Sequence, residues 1–268
     1  RPMSQNIRVA MSEKLPCIFL AHPQNRFADF GKQFCMDQYD HVKGELEKIA
    51  GHEIKSEDIA AAIKVYNKSR AVRREFVKLA SDHCDVIDPI MRSAVLKAAW
   101  FMDKAEYTEK LNALNAELKA LPAAKWNGVK VVTSGIIFKD NNVAIAADDV
   151  AHESRAFRTD ASEEGDPMMA LVEQFTNTDY DVLLYDPQSS KNRRGEFVAN
   201  MVKESGAQGL VLFMQQFCDP EEMEFPYLKK ALDAAGIPFI KLGIDQQMRD
   251  FGQAATAIQA FADVLSVQ

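Results

Sequence analysis

Residues 209–245 read GLVLFMQQFCDPEEMEFPYLKKALDAAGIPFIKLGID, and this stretch decides the fold. It opens with GLVLFMQQF (209–217), a short run apolar at consecutive positions, as a strand covered on both faces must be. A segment of helical composition follows, with a helix expected from Pro226 to Ala235 and stopped by Gly236. PFIKLGID (238–245) is a second apolar run of strand length. Strand, helix and strand in that order describe a crossover between two parallel strands.

The same alternation extends upstream. VKVVTSGII (129–137), VAIAADD (143–149) and DVLLYD (181–186) read as further strands, and helices are expected from Pro167 to Asn177, behind an Asp166 cap, and from Arg193 to Ser205. A closing helix carries Phe251, Ala254, Ile258, Phe261 and Leu265 on one face. Residues 123–268 are therefore expected to form a doubly wound α/β domain around a parallel sheet. One junction resists this. Only KDNN separates Phe138 from Val143, whereas a parallel crossover needs about a dozen residues. Either the two runs form an antiparallel hairpin through Asn141-Asn142, or a crossover helix is missing from the chain as given. The second is the expectation, because the other strand pairs keep their helices and because the chain starts at Arg1 inside the helix-like RPMSQNIRVAM.

Residues 28–122 read as a helical region. Ile59, Ile63, Tyr66, Val72, Phe76 and Leu79 recur at helical spacing and mark one apolar stripe. Asp88-Pro89 supplies a cap and a first-turn proline for a second helix through Met102, and a third runs from Ala105 to Leu121. Residues 1–27 are expected to be the end of a first α/β domain lying mostly upstream, with PCIFL (16–20) as a buried strand that ends in the loop AHPQNR.

Composition narrows the chemistry. The formal charge is -7, from 32 Lys and Arg against 39 Asp and Glu, with no basic block, so a nucleic-acid partner is not expected. No apolar run reaches the roughly 18 residues of a membrane-spanning helix, and no signal segment opens the chain, so a cytoplasmic setting is expected. The four cysteines, Cys17, Cys35, Cys84 and Cys218, lie far apart, which disfavours a disulfide framework or a self-contained metal site. Cys17, Cys35 and Cys84 read as packing residues.

Ligands of open α/β sheets gather beyond the carboxyl ends of the strands, so the segments after each strand are the candidates. Cys218 leaves the strand 209–217 just before a helix, whose amides favour negative charge; Asp219, Glu221 and Glu222 oppose a free thiolate there, and a metal would override them. The alternative is a small, inert packing residue. After VAIAADD come Asp148, Asp149, His152, Glu153, Arg155 and Arg158. They read either as a ligand or interface site, with an arginine pairing a carboxylate or phosphate and His152 or Glu153 moving protons, or as a solvated helix start capped by Asp149. Lys191, Arg193 and Arg194 follow DVLLYD and read either as phosphate contacts or as a solvated loop. Neither GxGxxG nor a GK[ST] phosphate loop occurs, so nucleotide chemistry by those routes is unsupported.

FMQQFCDPEEMEFPYLKKALDAAGIPFIKLGIDQQ (213–247) resembles the C-terminal cluster-ligand motif of the 2-hydroxyacyl-CoA dehydratase and benzoyl-CoA reductase family. The likeness runs through RPMSQNIRVAM (1–11), FLAHPQNR (19–26), DIAAAIKVYNKSRAVRREF (58–76), AADDVAHESRAFRTDA (146–161) and AATAIQAFADVL (254–265). It is nearest to the smaller, β-type subunits, with a 2-hydroxyglutaryl group as the favoured acyl chain.

The resemblance implies a [4Fe-4S] cluster held by three cysteines, of which Cys218 matches the third; the first two belong to segments that precede the start of this chain. Gln215, Gln216 and Asp219 are then the nearest groups able to tune the cluster. It further implies a larger α subunit, an ATP-hydrolysing iron-sulfur activator protein and an acyl-CoA substrate. In this branch a flavin mononucleotide joins the cluster, although no residue here marks its site. The implied reaction is elimination of water from an (R)-2-hydroxyacyl-CoA through a ketyl radical, with this subunit relaying the electron. The alternatives are a benzoyl-CoA-reductase-type subunit and a non-redox α/β domain that binds a small molecule.

Overall fold

The computed structural model describes residues 2–11, 15–23, 25–26, 28–134, 142–177, 193–245 and 247–267. Ten helices and four strands occur among them: α1 (Pro2–Met11), α2 (Asp29–Ala50), α3 (Ser56–Asp82), α4 (Pro89–Ala98), α5 (Lys104–Ala120), β1 (Val129–Ser134), β2 (Val143–Asp149), α6 (Ser154–Phe157), α7 (Pro167–Thr176), α8 (Arg194–Glu204), β3 (Gly209–Gln215), α9 (Asp219–Ala235), β4 (Phe239–Ile244) and α10 (Gly252–Ser266). They fall into two compact units; the described residues of the first lie within 1–64 and 161–177, and those of the second within 65–160 and 193–267. None of these helices is long and apolar enough to cross a membrane.

In the first unit α2 packs on α7. The left-handed Gly51 (φ 74°) ends α2 by donating its N–H to the Glu47 carbonyl at 2.8 Å. Ile63, Ala161 and Ala170 form a small core there. PCIFL is not a strand. Residues 16–20 are irregular, and Phe19 and Leu20 are exposed. A short apolar run becomes a strand only beside a partner that takes its backbone hydrogen bonds, and no described strand pairs with it.

The second unit is built on a parallel sheet in the order β2-β1-β3-β4. Val129 pairs Val143 and Ser134 pairs Asp149 in parallel register, which removes the hairpin alternative for 129–149. The strand expected at 181–186 and most of the link after Ser134 lie outside the described residues. Val131, Val211, Phe213 and Ile244 point to one face of the sheet, where α10 covers them with Ile258, Phe261 and Leu265. Val132, Leu210, Leu212 and Met214 point to the other, beneath Val198 and Val202 of α8 and Leu228 and Leu232 of α9. Cover on both faces is why these strands read as unbroken apolar runs.

α8 and α9 lie close because of one residue. A β-carbon added at Gly195 would stand 2.6 Å from the Ala231 side chain and 3.2 Å from the Tyr227 carbonyl, so only glycine fits. α9 starts at Asp219, earlier than the expected Pro226. Pro220 sits in its first turn, where a missing N–H costs nothing, and Asp219, Glu221 and Glu222 complement the helix dipole. Pro226 lies inside the helix.

In the helical part of this unit, Phe76, Leu96, Tyr107, Leu111, Leu118 and Phe157 form one core. Asp88 caps α4 by accepting the Met91 N–H at 2.7 Å. α4 ends at Ala98, short of the expected Met102, because Asp103 starts a new helix by accepting the N–H groups of Ala105 at 2.9 Å and Glu106 at 3.0 Å. The expected stripe on α3 is only partly correct. Tyr66 is exposed, and the buried positions between Ile63 and Phe76 include Asn67, Arg70 and Arg73.

Candidate functional site

The last residues of the four strands, Ser134, Asp149, Gln215 and Ile244, line one cavity of about 340 Å³ at the carboxyl edge of the sheet. Sequential connections part between β1 and β3, where a doubly wound sheet opens to a ligand. Leu212, Phe213 and Met214 form an apolar floor, while Phe225 and Leu228 of α9 close one side. His152, Arg155, Arg194, Glu221 and Glu224 supply the polar lining.

Behind that lining is a buried ion-pair network. Asp149, with no solvent exposure, accepts two bonds from Arg155: Nε to Oδ1 and Nη2 to Oδ2, both at 2.8 Å. Arg158 Nη2 reaches Oδ1 at 3.1 Å, and Arg194 Nε reaches Oδ2 at 3.1 Å. Burial alone would push the Asp149 carboxyl up, but the hydrogen bond and charge of Arg155, followed by the charges of Arg194 and Arg158, hold it well below the usual carboxylate range. Arg194 spans onward, bonding the Ser134 hydroxyl at 2.9 Å and pairing with buried Glu224. β1, β2, α8 and α9 are tied together by that one guanidinium.

Asp148 and Glu153 form a second buried layer around Arg92 of α4, which donates to both carboxylates. Asp148 Oδ1 also accepts the N–H groups of Val150 at 3.1 Å and Ser154 at 3.0 Å. The turn before α6 is therefore fastened by Asp148, and not by Asp149, the cap in the solvated-helix-start alternative. Burial pushes the Glu153 carboxyl up; the Arg92 charge pulls it back, and the Asp148 charge adds to the rise. His152 is half-exposed, with Nε2 at 3.9 Å from Glu153 Oε1, beyond hydrogen-bonding distance.

Cys218 occupies the N-cap of α9 and is half-buried. Its N–H donates to the Gln215 carbonyl at 3.2 Å, and its carbonyl accepts from Glu222 at 3.0 Å. The preceding residue, Phe217, adopts φ 64° and is 93% exposed, an uncommon conformation for a bulky side chain. Gln215 gives its N–H to Glu221 Oε2 at 3.0 Å, so Glu221 steadies the strand exit before the cysteine. Gln216 donates its N–H to the Ile244 carbonyl at 2.7 Å, and its carboxamide lies over Gly243. Asp219 is the first residue of α9.

The residues present offer one thiol at this edge. Among the described residues no group of three His, Cys, Asp or Glu side chains is placed to hold a metal. Cys35 and Cys84 are buried, and burial pushes both thiols up, as suits packing residues; Cys17 lies in the irregular segment near the start. The residues therefore fit one corner of an iron-sulfur cluster and not a whole one.

The structure thus joins Asp149, Arg155, Arg158 and Arg194 and keeps Asp148 and Glu153 one layer behind. Arg194 is buried rather than in a solvated loop, Arg193 is exposed beside Glu196 at 3.5 Å, and Lys191 lies outside the described residues. Sequence reasoning missed Arg92 and Glu224. Glu224 stands four residues before Leu228, on the row of α9 that faces the sheet, and that spacing was the available signal. Arg92 lies in the largely apolar PIMRSAVLKA of α4, where it is buried and Lys97 is the other charged residue.

A family profile described as 2-hydroxyglutaryl-CoA dehydratase, D-component, matches residues 1–265. The chain is 60% identical over 275 positions to the (R)-2-hydroxyglutaryl-CoA dehydratase subunit beta of Acidaminococcus fermentans, covering 99% of this chain and 73% of that protein. It is 41% identical over 272 positions to the (R)-phenyllactyl-CoA dehydratase beta subunit of Clostridium sporogenes, covering 98% of this chain and 71% of that protein. It is 36% identical over 260 positions to the lactoyl-CoA dehydratase subunit beta of Anaerotignum propionicum, covering 93% of this chain and 69% of that protein.

Proposed function

Since the chain belongs to the 2-hydroxyglutaryl-CoA dehydratase D-component family, we propose that it serves as the β-type subunit of a 2-hydroxyacyl-CoA dehydratase, a hydro-lyase. The observation that carries this is the 60% identity, over 99% of the chain, to a subunit so named. The acyl group follows the same ranking, with 2-hydroxyglutaryl ahead of phenyllactyl and lactoyl. A larger α-type subunit is the expected partner, and an ATP-hydrolysing activator is the expected source of an electron.

In this proposal Cys218 supplies one thiolate to a [4Fe-4S] cluster, whose remaining ligands come from beyond the described residues. When bound, such a cluster supplies one-electron transfer. Asp219, Glu221 and Glu222 lie in the first turn of α9 around Cys218, and their negative charge suits a cation bound at the sulfur. The Glu221–Gln215 bond and the Gln215–Cys218 bond hold the sulfur-bearing turn to the sheet edge. The Asp149 network keeps β1, β2, α8 and α9 in register beneath it, so the edge presents one fixed shape.

The test is purification with the larger partner under exclusion of air, followed by iron and sulfide analysis. Assay with the activator and (R)-2-hydroxyglutaryl-CoA then completes it. Bound iron and sulfide with enoyl-CoA formation and no net electron consumption is the expected result. An iron-free, colourless complex would overturn the cluster assignment, and net reduction of the acyl-CoA would replace the dehydratase with a reductase.

A further inference from the structure

In the helical part of the second unit, two cations, Arg73 and Lys104, are withdrawn from solvent with no carboxylate paired to them among the described residues. Arg73 of α3 is 5% exposed, and its one hydrogen bond among the described residues runs from Nε to the Ser69 carbonyl at 3.2 Å. Its guanidinium lies 5.1 Å from the Phe157 ring. Lys104, at the start of α5, is half-buried; it donates to the Ala99 carbonyl and stands 5.1 Å from the Tyr66 ring. Arg70 lies 5.9 Å from that same ring. Neither Arg73 nor Lys104 forms an ion pair among the described residues.

The nearby carboxylates are otherwise engaged. Asp160 is held by both terminal nitrogens of Arg74, at 2.9 and 2.7 Å, and its charge acts on Arg70 as well, while Asp103 caps α5. Burial first, and then Arg73 and Arg70, push the Lys104 ammonium down from its usual value, with Asp103 pulling the other way. Burial likewise pushes Arg73 down; Tyr107 opposes that shift, and Arg70 and Arg74 add to it. A cation taken out of water incurs a desolvation cost unless an anion accompanies it. Aromatic faces recover only part of that cost.

We infer that Arg73 and Lys104, with Arg70 beside them, form a binding site for a phosphate group. The terminal nitrogens of Arg73 have the fork geometry that meets two oxygens of one phosphate, and Lys104 adds a point charge. A dianion suits the two unpaired cations, Arg73 and Lys104, better than a carboxylate does. The Tyr66 ring beside Lys104 and Arg70 is exposed, and Lys104 itself is only half-buried, so the phosphate can be free or belong to a nucleotide. This inference does not depend on the dehydratase reading, because its test measures anion binding alone.

The test uses the full chain with its larger partner in phosphate-free buffer at constant ionic strength. Thermal unfolding is followed while inorganic phosphate, and separately adenosine 3′,5′-bisphosphate, is titrated. A saturable rise in melting temperature is expected for the wild type. The apparent dissociation constant should weaken about tenfold or more in Lys104→Gln, the magnitude of a lost charge-assisted hydrogen bond. Arg73→Gln should abolish the rise; if that buried variant does not fold, the half-exposed Lys104→Gln carries the test. Tighter binding of the nucleotide than of phosphate identifies a nucleotide source, and equal binding identifies a free anion. Absence of any rise in the wild type, or an equal rise in Lys104→Gln, overturns the site.

Discussion

Arg155 holds Asp149 with two nitrogens of its guanidinium, Nε on Oδ1 and Nη2 on Oδ2, each at 2.8 Å, while the carboxylate is closed off from solvent. Two further guanidiniums, from Arg158 and Arg194, bond the same carboxylate at 3.1 Å. Asp149→Asn keeps the volume and removes the charge, leaving three cations converging on an amide. The expected loss is about 3–5 kcal/mol of folding stability, the range for breaking a buried ion pair from one side. Urea denaturation of the variant against the wild type measures it, and a loss below about 1 kcal/mol would show that the arginines find other partners.

The same carboxylate sets a pH dependence. Its folded pKa lies below that of an unfolded aspartate, about 3.9, so its contribution is fully present above that value. As the pH falls below about 4, the unfolded state takes up protons first and the contribution shrinks. Wild type should therefore lose stability more steeply than Asp149→Asn between about pH 4 and 3, with the difference between them flat above about pH 5. Parallel acid limbs in urea titrations at each pH would refute the role assigned to Asp149.

The strands and the parallel sheet were legible because each strand is buried on both faces, and burial writes itself as consecutive apolar residues in 209–215 and 143–147. The cap residues Asp88 and Asp166 were legible for a local reason, a side chain accepting an N–H three residues on. The site was less so. Asp149 and Arg194 pair across 45 positions, and nothing within either segment distinguishes a buried ion pair from a solvated loop. PCIFL failed as a strand because an apolar run records burial or exposure but not whether a neighbour exists to pair with it. Tyr66 failed for the complementary reason, since its helical spacing fits the stripe while α3 buries Arg70 and Arg73 there.

Gly195→Ala tests the seam between α8 and α9. The new methyl would lie 2.6 Å from the Ala231 side chain and 3.4 Å from the Leu228 Cα, so the helices must separate. Overpacking of this kind costs about 1–3 kcal/mol. Arg194 is the neighbouring residue, so its bonds to Asp149 and Glu224 should stretch with it. Thermal unfolding gives the cost. Pairing Gly195→Ala with Asp149→Asn in a double-mutant cycle should show an interaction energy well away from zero.

Cys218→Ala separates metal binding from architecture. The side chain is half-buried and makes no capping hydrogen bond, so its loss should change stability by no more than about 1 kcal/mol when no cluster is present. Iron and sulfide bound by this subunit should fall to background in the same variant, with circular dichroism unchanged. Asp149→Asn is the counterpart, because it weakens the fold beneath the edge without touching the sulfur, and whatever remains folded should keep its iron. The two variants thus move stability and iron content in opposite combinations. If Cys218→Ala retains a full complement of iron, the sulfur is a packing atom, and the cap of α9 owes its sequence to helix geometry alone.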